Sequence, residues 1–410
     1  MQHFFAFTPE TFAAWCVQHR LPAYRAGQVF EWVYRRGVID PAAMTNLALL
    51  DRQLLARELV FTTGQIVKHQ SATDGTEKLL IAWDDETPAI APTPAIAPTR
   101  AATTAASNTT NNNTGTTTTQ PRTTECVMIP TDDRRTACVS SQVGCPVGCK
   151  FCASGLGGLE GNLTGGRIVE QVWWLRQMMR QTEGLRVGAP LARDEQGRVT
   201  DFPRITNVVF MGMGEPLANF AGVTHALACI CGLWGHAISA RKVTISTVGL
   251  PAAIEKLARE CDLPITLALS LHAPTDDVRR ELIPWAHYST IRQLLDACQK
   301  WFDKTGREIT LEYTLLRGVN DRPEQAEQLA RLAKGLRANV NLIRYNEISG
   351  LPFNRPHDED VRVFQETLRD RNVNVHIRAS RGRDIAAACG QLRHETRSTV
   401  KLGVPATTNS

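Results

Sequence analysis

The sequence predicts an α/β protein: a full or partial (β/α) barrel preceded by a small helical domain. Three observations support this. From residue 137 onward, short apolar and β-branched runs alternate with segments of helical periodicity. The first 68 residues carry helix-like apolar spacings instead. An apolar fraction of 43% in 410 residues furnishes one large core plus a smaller unit. Repeated βα units of this length build a parallel sheet, open or closed, and reactive groups gather at the C-terminal ends of its strands.

At the start, Phe12, Trp15, Cys16 and His19 recur as on one helix face. A second helical segment begins near Arg25, with Val29, Phe30, Val33 and Tyr34 as its apolar stripe and Gly37 placed to stop it. Residues 1–68 thus read as an accessory helical domain. It either packs on the core or, helped by Arg20, Arg25, Arg35 and Arg36, touches a nucleic acid. Residues 69–136 read as a strand-rich linker, with strands at 78–83 and 126–130. Between these, residues 87–124 contain the repeat TPAIAP-TPAIAP and the run NTTNNNTGTTTT. So few large apolar side chains cannot offset the entropy of ordering a backbone, which predicts a disordered insert dispensable for the core chemistry. Strand candidates then follow at 137–142, 205–211, 242–246, 263–271, 309–316, 339–345 and 373–378. Helical patterns lie between them; Ile168, Val172, Leu175 and Met179, for example, share one face. The core is expected over 137–397 and a tail over 398–410.

The formal net charge of +5 permits a polyanionic partner without demanding one. Residues 1–20 lack a basic start followed by an apolar run, so no export signal is expected. No apolar stretch reaches the roughly 18 residues of a membrane span. Eleven cysteines in such a chain point to reduced thiols in a cytoplasmic protein rather than a disulfide framework.

Three of those cysteines fall within eight residues. The loop GCPVGCKFCAS at 144–154 sets Cys145, Cys149 and Cys152 in the spacing C-x3-C-x2-C. Soft thiolates select zinc or iron–sulfur clusters. A structural zinc ion asks for four ligands, typically in two separated pairs, and no second C-x2-C exists here. Three cysteines on one loop instead suit a cubane cluster, one iron each, with the fourth iron open to an outside ligand. Gly144 and Gly148 let the loop wrap closely. Buried structural cysteines and a zinc site are the competing readings.

This loop resembles that of the radical S-adenosylmethionine (SAM) superfamily. A closer resemblance comes from six blocks in order: ACVSSQVGCPVGCKFCASG at 137–155, VVFMGMGEPL at 208–217, KVTISTVGL at 242–250, LALSLHAP at 267–274, LEYTLLRGVND at 311–321 and AACGQL at 387–392. Together they are similar to the RlmN family of bacterial rRNA/tRNA adenine-C2 methyltransferases, over about 25–392 apart from the insert. The resemblance implies a [4Fe–4S] cluster, one per chain, held by Cys145, Cys149 and Cys152. It implies methylation of C2 of adenosine in 23S rRNA and in certain tRNAs, with two SAM molecules consumed for each methyl group. One SAM methylates a cysteine. The second, reduced at the cluster, yields a 5′-deoxyadenosyl radical that activates the S-methyl group for addition to the base. A flavodoxin-type reductant and no membrane partner are further implications.

By the same resemblance, Cys389 is the methyl-accepting cysteine, on a segment that reads as the start or middle of a helix. Cys138 resolves the covalent adduct by a transient disulfide with Cys389, and Glu125 accepts the C2 proton. Gly214, Glu215, Ser246, Ser270, Leu271, His272 and Asn346 resemble SAM contacts; His272 could otherwise be a general base. Arg369, Arg371, Arg378, Arg381, Arg383, Arg393 and Arg397 are read either as a solvated face or, in part, as phosphate contacts. The sequence departs from the family pattern in its insert, in the extra thiol Cys126 and in Glu347, which stands where Pro is expected. Three alternatives stay open: methylation at adenine C8, a radical SAM activase acting on protein, and a non-catalytic iron–sulfur or zinc RNA-binding protein.

Overall fold

Ten strands form one mixed sheet in the computed structural model, which describes residues 1–84, 121–182 and 204–392. In chain order they are β1 (Gly64–Ser71), β2 (Glu77–Trp83), β3 (Arg122–Pro130), β4 (Arg135–Cys138) and β5 (Asn207–Phe210), followed by β6 (Val243–Thr247), β7 (Thr266–Ser270), β8 (Ile309–Leu315), β9 (Ala338–Arg344) and β10 (Val375–Arg378). Chain order is also spatial order. β1 to β4 are joined antiparallel, as short connections allow, whereas β4 to β10 run parallel. Parallel neighbours need crossovers, and helices supply them: α4 (Gly165–Thr182), α5 (Phe220–Cys231), α6 (Pro251–Glu260), α7 (Asp276–Leu282), α8 (Ile291–Thr305), α9 (Pro323–Lys334) and α10 (Asp358–Asp370). The result is the expected partial (β/α) barrel, open between β1 and β10.

The two faces of the sheet follow the period-two alternation of strands. Ala137, Val208, Phe210, Ile245, Leu267, Leu269, Leu311 and Tyr313 point outward into the main core against the helices. Their chain neighbours point the other way, into the barrel. Helix ends are set locally. In α8, Thr290 and Gln293 form a capping box, and Gly306 closes the other end at φ 63.

The N-terminal region is helical as expected through α1 (Pro9–Gln18), α2 (Arg25–Phe30) and α3 (Leu49–Glu58). A π turn over Glu31–Arg36 continues α2, and Gly37 ends it at φ 71. This unit is docked by buried polar groups of α4. Glu170 accepts the backbone N–H groups of Thr63 and Gly64 and pairs with His3 at 3.1 Å. Arg176 and Arg180 donate to the carbonyls of Tyr34, Arg35 and Arg36 at the end of the π turn. These arginines occupy a helix C-terminus, where cations are favoured.

Four expectations are corrected. Residues 64–68 are strand rather than helix, because β1 pairs along β2. The described parts of the region read as a linker supply strands of the barrel's own sheet. The insert does not reach residue 124: Arg122, Thr123 and Thr124 pair with Trp83, Ala82 and Ile81. The strand read over 137–142 breaks after Cys138, and Gln142–Gly144 pairs with Leu159–Asn162 instead. Most of the insert, Arg393, Arg397 and the tail lie outside the described residues. Among the described residues no helix is long and apolar enough to cross a membrane.

Candidate active site

The C-terminal ends of the parallel strands open on a cavity. The inward row of the sheet supplies Met211, Ser270, Glu312, Thr314, Ile343 and Arg378 to its wall. The short pair after β4 carries the cysteine loop at its tip. Gly144 sits there at φ 74, and a Cβ on it would stand 2.0 Å from the Gly158 carbonyl oxygen. Only glycine tolerates that approach. The Lys150 N–H donates to Leu282 O at 3.0 Å and so ties the tip to the end of α7. Cys145, Cys149 and Cys152 all reach the cavity. Burial raises each thiol's pKa, Cys145 to about 12, and for Cys149 the Cys152 and Cys145 sulfurs add to it.

Opposite the loop lie the strand-end residues. Gly214 (φ 103) packs where a Cβ would meet the Gln142 side chain at 2.6 Å. Glu215 is buried, and both its oxygens are engaged: Oε1 accepts the Leu217 N–H at 3.0 Å and Oε2 that of Val248 at 2.7 Å. Burial raises its pKa while the Val248 N–H opposes the rise. Ser270 lines the cavity, and Ser246 stands one hydrogen bond behind it, Oγ to Oγ 3.1 Å. Leu271 does not join them. Its side chain lies in the main core, and its carbonyl is held by Arg279 Nε at 3.2 Å. Arg279 also donates to the Val248 and Ser270 carbonyls, fixing the ends of β6 and β7 together.

His272 adopts the left-handed φ of 56, uncommon outside glycine. Its Nδ1 accepts the Thr314 N–H at 3.0 Å, and Asn320 Nδ2 donates to its carbonyl at 2.8 Å. Burial, then Arg279, lowers its pKa to about 3. With Nδ1 accepting the Thr314 N–H, the neutral ring carries its proton on Nε2, which makes that atom a hydrogen-bond donor. Asn346 donates through Nδ2 to Cys389 O at 3.4 Å, and its buried Oδ1 has no protein partner.

Cys389 is not helical. After a short 3-10 turn at Arg383–Ile385 the chain passes Ala386 at φ 51 and Gly390 at φ 83, placing Cys389 on a turn at the cavity wall. The helical pattern of AAAC is overridden by distant contacts. Asp74 accepts the Gly382 N–H, Gly390 O accepts the Ala153 N–H, and Ser154 Oγ donates to Leu392 O. Cys138, the last residue of β4, clusters with Ala387 and Leu392 on either side of Cys389. Its thiol pKa is pushed up to about 12, first by burial and then by the Cys389 sulfur. Arg378, one of the expected phosphate contacts, turns inward instead. Its Nη1 lies 3.8 Å from Cys389 Sγ and 3.2 Å from Met211 Sδ. Arg371, from the same group, pairs with Glu327 at the surface.

Glu125 is not on the cavity wall. It lies on β3, buried, with Oε1 2.7 Å from Lys78 Nζ. The extra thiol Cys126 points to the opposite face of the sheet and belongs to the outer core. Sequence reasoning missed Glu312, Thr314, Tyr345 and the placement of Arg378. Strand alternation, given that Leu311 and Tyr313 are apolar, is the signal that marks Glu312 and Thr314 as inward.

Comparison with known proteins decides the family. Residues 139–333 match the model of the radical SAM superfamily, and residues 3–60 match the N-terminal domain of ribosomal RNA large subunit methyltransferases. A probable dual-specificity RNA methyltransferase RlmN of Thermosynechococcus vestitus is 39% identical over 93% of this chain and 95% of its own length. The chain belongs to the RlmN family. A second RlmN, of Synechococcus sp., is 38% identical over 94% of the chain and 96% of its own. The crystal structure of a radical SAM methyltransferase from Sphaerobacter thermophilus superposes with a TM-score of 0.80 at 36% identity, covering 96% of this chain and all of that one.

Radical SAM proteins of this family use a 4Fe–4S cluster and SAM, and the residues here fit both. No three His, Cys, Asp or Glu side chains among the described residues stand close enough to hold one metal ion. Cys145, Cys149 and Cys152 nevertheless face one cavity, and three soft thiolates on one loop are the donor chemistry an iron–sulfur cluster takes. The unpartnered Oδ1 of Asn346 and the Nε2–H of His272 offer an acceptor and a donor to a polar ligand beside them.

Proposed function

We propose that this RlmN-family protein methylates C2 of adenosine in 23S rRNA and in certain tRNAs, using Cys389 as the methyl carrier. The observation that supports this best is the position of Cys389: on a turn at the wall of the cavity reached by the three loop cysteines, with Cys138 beside it. When bound, the cluster and two SAM molecules supply one methyl group and one 5′-deoxyadenosyl radical per turnover. Cys145, Cys149 and Cys152 would hold the cluster. Gly214, Glu215, Ser270, His272 and Asn346 line the place for SAM, with Ser246 supporting Ser270 and Leu271 contributing through its backbone.

Each of the chain's own groups then has a task. Cys389 takes the methyl group on sulfur and carries it to the base. Arg378 stands beside that sulfur, its Nη1 3.8 Å away, and holds the side chain in place. Glu125 accepts the proton that C2 must lose. Cys138, as its thiolate, attacks the Cys389 sulfur, and a disulfide closes between the two cysteines. The sulfur–carbon bond breaks with its electron pair going to the transferred carbon and the adenine ring, and that carbon takes up a proton to become the methyl group. The target base leaves its stack to reach the cavity, as base-modifying enzymes require. Residues 1–60 and arginines such as the half-buried Arg381 and the exposed Arg383 bear on the RNA, and a flavodoxin-type protein reduces the cluster.

The test is the Cys389 peptide of protein made in cells, together with the reaction of Cys389→Ala. The peptide is expected to contain a population one methyl heavier, and the variant to lose RNA methylation by at least about 1,000-fold, as when a covalent nucleophile is removed. Methylation at C2 by Cys389→Ala would overturn the carrier role. A product methylated at C8 would overturn the assigned regiochemistry while leaving the carrier in place.

A further inference from the structure

We propose that Lys78 is a positioning residue that couples Glu125 to the turn carrying Cys389. The proposal rests on the reading of Glu125 as proton acceptor. Lys78 lies on β2 and is only 6% exposed. Its ammonium is 2.7 Å from Glu125 Oε1 and donates to the Ala386 carbonyl at 3.2 Å. Ala386 is three residues before Cys389. One cation therefore touches both the acceptor and the carrier's turn.

The strand register places this link on the same face as Cys138. Lys78 pairs with Val127 and Leu80 with Glu125, so Lys78 and Glu125 point to the same side of β2 and β3. Val127 in turn pairs with Cys138. Ammonium, carboxylate and resolving thiol thus share one face of three adjacent strands. The β1–β2 turn grips the same chain segment from outside: the Thr73 N–H donates to Asp384 at 2.9 Å and the Gly382 N–H to Asp74 at 3.0 Å. For gripping alone, neutral backbone contacts suffice. A buried lysine is costly unless its charge is matched, and here the matching charge is Glu125. Pinning Oε1 fixes the rotation of the carboxylate, and the shared ammonium fixes its distance from the carrier's turn. A proton transfer requires such geometry before it requires anything else.

The experiment is a single turnover of reconstituted holoenzyme with substrate RNA, following both the methyl group on Cys389 and the Cys389–RNA crosslink on denaturing gels. Glu125→Gln is run beside Lys78→Met and Lys78→Arg. Lys78→Met is expected to load methyl on Cys389 normally and to release the crosslink about tenfold or more slowly, the loss that one misplaced proton-transfer group produces. Lys78→Arg should restore most of the release, and Lys78→Met should slow Glu125→Gln no further. If Glu125→Gln releases RNA at the normal rate, the reading of Glu125 fails, whatever Lys78 does. If Glu125→Gln accumulates the crosslink and Lys78→Met does not, the proposal for Lys78 is overturned. Loss of methyl loading in Lys78→Met without rescue by Lys78→Arg overturns it as well, since that marks a purely structural lysine. Should Lys78→Met not fold, Lys78→Gln keeps a donor for Ala386 without the charge, and normal release by that variant is equally fatal.

Discussion

Arg378 ends the last strand with its guanidinium between two sulfurs and close to Glu312. Its own pKa is raised, first by the Cys389 sulfur, against the lowering effect of burial, with Glu312 adding to the rise. A hydrogen bond to a charged partner is worth about 1.5–3 kcal/mol, or roughly 10- to 100-fold in rate. Arg378→Met is therefore expected to slow methyl loading of Cys389 by about that factor while leaving SAM affinity within about twofold. Arg378→Lys should recover part of the loss. Mass spectrometry of the Cys389 peptide over time and calorimetric SAM titration check the two halves separately. At this scale the sequence conveyed chemistry better than direction. The cysteines were legible because their spacing is local. The inward turn of Arg378 was not, since it depends on which face of β10 meets the cavity, and that is decided by strands far away in the chain.

Among elements, the cysteine hairpin is tightly constrained. Gly144 combines a positive φ with an approach that leaves no room for a Cβ. Gly144→Ala is expected to keep the barrel folded but to prevent the hairpin from closing. After anaerobic reconstitution its iron content should fall by more than about half, since strain of 1–3 kcal/mol or more falls on the loop that must wrap the cluster. Iron analysis and visible absorbance measure this, and circular dichroism verifies the fold. The strands themselves were readable. β8 spans Ile309–Leu315 and was expected one residue longer, because a strand covered on both faces reads as a continuous run. Boundaries failed where a partner outside the window decided them. Thr123 and Thr124 look like insert by composition and become strand by pairing with β2. The helix expected at Cys389 failed in the same way, to the grip of the β1–β2 turn.

Across the whole molecule, the N-terminal helices and the barrel share one apolar core that is crossed by buried polar contacts. Glu170 is wholly buried and receives N–H groups from Thr63, Gly64 and Trp174 while pairing with His3. Removing it strands those donors. Glu170→Ala is expected to cost about 3–5 kcal/mol, as for one partner of a buried ion pair. Thermal unfolding should begin roughly 5–15 °C lower, with Glu170→Gln milder. A split transition, the N-terminal helices melting first, would mark them as a separable unit. The partial barrel was foreseeable from alternation. The joining of β1, β2 and β3 to the barrel sheet was not, since antiparallel strands carry no signal of what lies beyond their edge.

The strand order has one last consequence, and it concerns time. Because the sheet is laid down in chain order, β1 through β10 can each dock on a neighbour already made. The cysteine loop is synthesised before half of the chain is complete, whereas Cys389 follows every strand of the sheet. With the roles proposed above, a nascent chain interrupted between the two would hold the ligands for a cluster with no carrier to receive a methyl group. On the proposed reading, the turn that completes the site is therefore made after every strand that supports it.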